Sequence, residues 1–180
     1  TGTLISRFKE NGIRNRNNVS PMKPVRQSLY QILGGLVFTL VVWIALSVIT
    51  VIFVKKITTA QVLMIVNMFV FSLVSLSIGF FINMAIKSEN GRNIAANVFA
   101  LGTSFIGGVM VPLEVLGDNV LLIGSFTPAY WFVKSNEVIS TLSEFNMGSL
   151  EEVIRNTAIL LLFTVAFLTM GLAVAKKRAE

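Results

Sequence analysis

Four stretches of this chain run for twenty residues or more without a single Asp, Glu, Lys or Arg: between Arg26 and Lys55, Lys56 and Lys87, Arg92 and Glu114, and Arg155 and Lys176. A helix needs about 20 consecutive apolar residues to cross a hydrocarbon core of about 30 Å, and each window meets that length. Within the windows apolar residues cover every helical face, as from Ile32 to Val54, whereas a surface helix of a soluble protein keeps a polar stripe. The pattern predicts an all-α integral membrane fold with about four transmembrane helices. Composition agrees: 54% of the residues are hydrophobic and 13% charged, against about 45–50% and about 25% in soluble domains.

Charges between the windows set the organisation. Arg7, Lys9, Arg14, Arg16, Lys23 and Arg26 face Glu10 alone, which marks residues 1–28 as cytoplasmic. Residues 29–113 are expected to form three transmembrane helices. The first runs from about Leu29 to Val54. The second, from about Thr59 to Ile86, opens on Thr58 and Gln61 at capping-box spacing. The third, from about Asn93 to Leu113, follows a turn at Lys87 to Asn93 centred on Asn90-Gly91. Thr1 is no initiator and no signal peptide is evident, so the chain is expected to begin mid-protein.

From Glu114 to Arg155 the balance reverses, with Glu114, Asp118, Glu137, Glu144, Glu151 and Glu152 opposing Lys134 and Arg155. Residues 114–149 are therefore expected outside. Val120 to Val133 is too short to span and is broken by Gly124 and Pro128, which predicts a re-entrant or interfacial outer segment. Val138, Ile139, Leu142 and Phe145 follow at helical spacing, as in a helix lying on the membrane surface. Ser149 and Glu152 form a second capping-box pair, so the last helix should start near Leu150. Residues 150–180 comprise that helix and a cytoplasmic tail with Lys176, Lys177 and Arg178. This N-inside arrangement puts eleven Lys and Arg inside and four outside, with Lys55-Lys56 the pair that runs against the bias.

Several chemistries are excluded. The chain has no His and no Cys, which removes the Ser–His dyad, thiol nucleophiles and the usual transition-metal ligands. Asp118 is the single aspartate, so there is no paired-aspartate protease. No G-x-x-x-x-G-K-[ST] occurs, so the chain itself binds no nucleotide in the P-loop manner and holds no cofactor; ATP would act through a partner. The net charge of +6 reflects residues at the window ends rather than a basic face with interleaved aromatics, so no nucleic-acid partner is expected. No charge lies at mid-window, where proton relays and voltage sensors need one.

What the windows hold is small and neutral polar. Ala96, Ala100, Ser104 and Gly108 repeat at spacing four, and Ser75 and Gly79 repeat it in the second window beside Asn67, Ser72 and Asn83. Such residues serve either close helix packing or the polar wall of a translocation path. Tyr30 and Tyr130-Trp131 suit aromatic-belt anchors. Trp43 could face lipid, a neighbouring helix or a path, and Glu114 a solvated loop or an outer mouth.

The segment Glu10-Asn11-Gly12-Ile13-Arg14-Asn15-Arg16-Asn17-Asn18-Val19-Ser20-Pro21 resembles the cytoplasmic signature of type-2 ATP-binding-cassette permeases, E-x-G-T-x-x-x-L-L-x-S/T-P, with the Gly-to-Ser spacing preserved. Asn15, Asn17 and Asn18 depart from it where the family is apolar. The order of elements is similar too, including a Gly-rich pass ending in Phe105-Ile106-Gly107-Gly108-Val109-Met110-Val111-Pro112-Leu113. The resemblance implies passes three to six of a six-helix permease in a bacterial plasma membrane, with both ends of the chain cytoplasmic. It further implies a cytoplasmic coupling segment in which Lys9, Glu10, Arg14, Arg16, Ser20 and Pro21 meet a separate ATP-binding subunit. A second permease and membrane lipid are the remaining implied partners, and export the implied direction. From the residues alone, a non-transporting membrane scaffold or assembly protein is the alternative.

Overall fold

The computed structural model describes residues 24–54, 58–141 and 147–177. The expected coupling residues Lys9, Glu10, Arg14, Arg16, Ser20 and Pro21 lie outside them, as do Lys55-Lys56, Leu142, Glu144 and Phe145. Among the described residues the fold is all helical: α1 (Pro24–Val54), α2 (Thr59–Ala85), α3 (Glu89–Ile106), a 3₁₀ turn (Leu113–Val115), α4 (Asp118–Gly124), α5 (Pro128–Ser140) and α6 (Met147–Lys177).

Three helices are long and apolar enough to cross a membrane, over Tyr30–Phe53, Thr59–Ala85 and Leu150–Lys177. The first, second and fourth windows account for them. The third window is divided differently from expectation. Its helix begins at Glu89, since Ser88 caps it by accepting from the Gly91 N–H at 3.1 Å. Asn90-Gly91 therefore sits in the first helical turn rather than at the centre of a loop, and the chain reverses over Ile86–Ser88. Arg92 closes the corner by donating from Nη1 to the Lys87 carbonyl at 3.1 Å. The helix also ends early, at Ile106. At 1.5 Å per residue α3 is about 27 Å long.

Beyond α3 the chain folds back on itself. Gly108 has φ +87°, a conformation that side chains with a Cβ disfavour, and the next helices start within a few residues. A Cβ on Gly107 would stand 2.5 Å from the Thr103 carbonyl oxygen and 2.6 Å from Ala129 Cβ, so α3 meets the start of α5 with no room for a side chain. Pro128 opens α5 at a position where its missing N–H costs nothing. The Trp131 indole N–H donates to the Ser125 carbonyl at 2.7 Å and binds α5 to the end of α4.

The core lies where α2, α5 and α6 meet. Val70, Val74 and Leu160 are its buried centre, packed by Phe71, Ile78, Trp131, Phe132 and Phe163. Phe71 stacks on Phe132 with ring centroids 4.4 Å apart, a contact of about 0.5–1.5 kcal/mol beyond area burial. Leu160 packs at Val70 and Val74, while Gly171 sits against Phe80 and Phe81; residue numbers rise together, so α2 and α6 run parallel. Trp43 and Gly35 of α1 meet Ile65 and Leu76 of α2, so these two run antiparallel.

Two expectations change here. Ile139 is fully buried and α5 packs against α6 and α2, so this helix belongs to the core rather than resting alone on a surface. The last helix is already formed at Met147, which leaves Ser149 inside it and not at its cap. Glu152 instead pairs with Lys134 at 3.7 Å and Arg155 at 3.2 Å.

Candidate functional site

α1 and α3 pack at the edge of this core. No residue of the α1 apolar window is buried, and α3 has no buried residue. Between them α2 presents its small and polar face to two open spaces.

The first space, a cavity of about 320 Å³, lies between α2, α3 and α5. Ser75 and Gly79 face Ala96, Ala100, Thr103 and Ser104 across it. Four residues expected to form a path or a packing seam, Ser75, Gly79, Ala100 and Ser104, thus come together on one cavity. Facing small-residue stripes let helix backbones approach closely, yet here they border a gap capped by Phe71, Phe99 and Phe132. Its polar groups are hydroxyls, and those of Ser75 and Thr103 donate to their own helices at Phe71 and Phe99 carbonyls, 3.0 and 2.8 Å away. Their oxygens remain acceptors in an otherwise apolar wall.

The second space is a groove of about 520 Å³ between α1 and α2, running from Gln31 and Asn83 at one end to Leu46 and Met68 at the other. Ser72, Ser75 and Gly79 line it, so α2's stripe borders both spaces. No charged residue lines either.

Asn67 and Gly108 do not join the stripe. Asn67 is 2% exposed; its Nδ2 donates to the Phe132 carbonyl at 3.1 Å and to Asn136 Oδ1 at 2.9 Å, which makes it a link between α2 and α5. Gly108 is at the turn after α3, against Leu113 and Val133. Trp43 faces α2: its indole N–H donates to the Ile65 carbonyl at 3.1 Å, and its ring meets Phe69 at 5.0 Å. Tyr130 and Trp131 are half-buried, with Lys134 Nζ 5.9 Å from both ring centroids.

The windows did not single out Asn156. It is fully buried on α6 with neither amide atom hydrogen-bonded to a described residue. The parallel register puts it near the level of Asn67. At the far edge of α5, partial desolvation and then the Glu114 charge raise the Glu137 carboxyl above its ordinary 4.5, against the opposing pull of Lys134. Among the described residues no cluster of three or more acidic groups could hold a metal ion.

A family model described as ABC-2 family transporter protein matches residues 1–173. No curated protein and no solved structure matches the chain.

Proposed function

The chain belongs to the ABC-2 transporter family and is the multi-pass membrane component of a transporter, and from that premise we propose that it is the permease of an ATP-driven exporter. The single observation that carries the location of the path is the cavity between the small-residue stripes of α2 and α3. A stripe that only packed helices would close such a space; an open one bordered by hydroxyls gives a cargo a neutral, weakly polar wall.

In this reading a separate ATP-binding subunit docks on the basic segment around Lys9, Glu10, Arg14, Arg16, Ser20 and Pro21 from the cytosol. Its nucleotide states bind that segment with different affinity, and this difference supplies the free energy that shifts the helices. α1 and α3 are the elements that move, since they bury least against the core. A second permease completes the path, and α4 and α5 form its outer rim in the cell membrane.

Two variants test separate parts. Arg14→Glu with Arg16→Glu is expected to uncouple ATP hydrolysis from transport, and unchanged coupling would refute the docking role. Ala100→Phe is expected to stop transport while the associated ATPase still binds. Association with no dependence on nucleotide, and no transport of any cargo, would favour a scaffold instead.

A further inference from the structure

We infer that the groove between α1 and α2 is a lipid site, and that its occupant is one acyl chain of an anionic phospholipid from the leaflet at the Lys87 end of the helices. This inference concerns a different space from the proposed cargo path and does not depend on it.

The shape of the groove carries the argument. It is lined from Gln31 to Leu46 on α1 and from Asn83 to Met68 on α2, about 22 Å on each helix at 1.5 Å per residue. One leaflet contributes about half of a 30 Å hydrocarbon core, about 15 Å, so a chain with its head at the interface occupies about the polar two-thirds of that length. The volume of about 520 Å³ lies within the range of about 300–1,000 Å³ seen for small-ligand pockets. Trp43 holds α1 onto α2 near the Leu46–Met68 end through its bond to Ile65, so the two helices are tied there; the carboxamides of the lining lie at the opposite end, with the hydroxyls of Thr39, Ser72 and Ser75 between.

That polar end suits an anionic head. The carboxamides of Gln31 and Asn83 line it, and Lys87 lies just past the end of α2. Since α6 runs parallel to α2 with Gly171 at Phe80, Lys176 and Lys177 fall at the same level. Arg92 lies there also, partly engaged with the Ile86 and Lys87 carbonyls, and Glu89 is the one acid opposing them among the described residues of this rim. A net positive rim beside an uncharged slot is complementary to a phosphate joined to hydrocarbon. The Ser72 and Ser75 hydroxyls of the slot donate to carbonyls of their own helix, so a polar cargo would find few free donors there, and a free phosphate would leave its length unfilled.

The test uses the full chain in nanodiscs with a phosphatidylglycerol carrying a photoreactive diazirine near the methyl end of one acyl chain, the adducts being mapped by mass spectrometry. Adducts are expected to concentrate severalfold at Thr39 and Ser72, in the groove, over Val41 and Ile52, which face outward. Ser72→Trp, or Thr39→Phe where the first does not fold, should remove the groove adducts and spare the outward ones. Lys87→Gln should lower competition by unlabelled phosphatidylglycerol relative to phosphatidylcholine. Adducts at Val41 and Ile52 as heavy as those in the groove would overturn the inference. So would indifference to the head group. The chain has no cysteine, so Ser72→Cys supplies a clean further readout: a disulfide between two chains would identify the occupant as a second copy, and the lipid site would fall.

Discussion

The Asn67 side chain on α2 donates to Asn136 Oδ1 on α5 at 2.9 Å, and the same Nδ2 reaches the Phe132 carbonyl at 3.1 Å. Both bonds tie α5 to a membrane-crossing helix. Between helices in lipid there is little hydrophobic drive, so such bonds and close packing carry association, at about 0.6–2 kcal/mol each. Asn67→Ala and Asn136→Ala should therefore each destabilise the protein. In a double-mutant cycle read by thermal denaturation in detergent they should couple by about 0.6–2 kcal/mol. Strict additivity would mean that the pair does not hold α5 to α2.

Asn156 should respond in the opposite direction. Its amide is fully buried without a hydrogen bond to any described residue, and an unsatisfied buried polar group costs about 1–3 kcal/mol. Asn156→Leu, similar in size, is expected to raise the melting temperature. A fall would show that the amide has a partner of consequence.

Gly102 within α3 and Gly107 just past its end give a contrast. Gly107→Ala forces a Cβ against the Thr103 carbonyl oxygen, Ala129 Cβ and Tyr130 N, and overpacking of this kind costs about 1–3 kcal/mol. Gly102→Ala meets nothing within 4 Å and should be neutral or stabilising by up to about 1 kcal/mol, through helix propensity alone. Melting of the two variants side by side checks the close approach of α3 to α5; equal melting temperatures would argue against it.

Glu137 supplies a pH dependence. Its carboxyl is raised above 4.5 first by partial desolvation and then by Glu114, with Lys134 opposing. The folded state therefore holds the proton more tightly than the unfolded chain, and stability falls as pH rises from about that ordinary value through the raised one. Glu137→Gln should melt higher than the parent at neutral pH, and the gap should close below pH 4.5. A gap that persists or grows in acid would contradict the sign. The effect is expected to be small because Glu137 is exposed.

Much of the fold is legible in where the charges fall. Absence of charge over twenty residues identifies α1, α2 and α6 because lipid tolerates little else, and the Thr58–Gln61 spacing marks the start of α2, where the Thr58 N–H donates to Gln61 Oε1 at 3.0 Å. The start of α3 was less legible: Asn90-Gly91 carries turn chemistry, but Ser88 followed by Glu89 is also a helix-start signal, and the cap prevailed. Spacing alone grouped Gly108 with Ala100 and Ser104, since periodicity does not reveal that a helix stops at Ile106. Ser75, Gly79, Ala100 and Ser104 share a cavity because both stripes keep helical spacing through their length. Asn67 and Asn156 belong to the core for a reason that spacing does not encode, namely which helices meet there.

The directions of the helices decide a count that apolarity leaves open. α2 and α6 descend the same way, so between Ala85 and Met147 the polypeptide has to climb back, and α3 is the one described helix there of sufficient length. Three crossings would strand Pro24 and Lys177 on opposite faces of the bilayer. The antiparallel start and the parallel finish return them to a common side, which requires a fourth passage despite its polar opening turn.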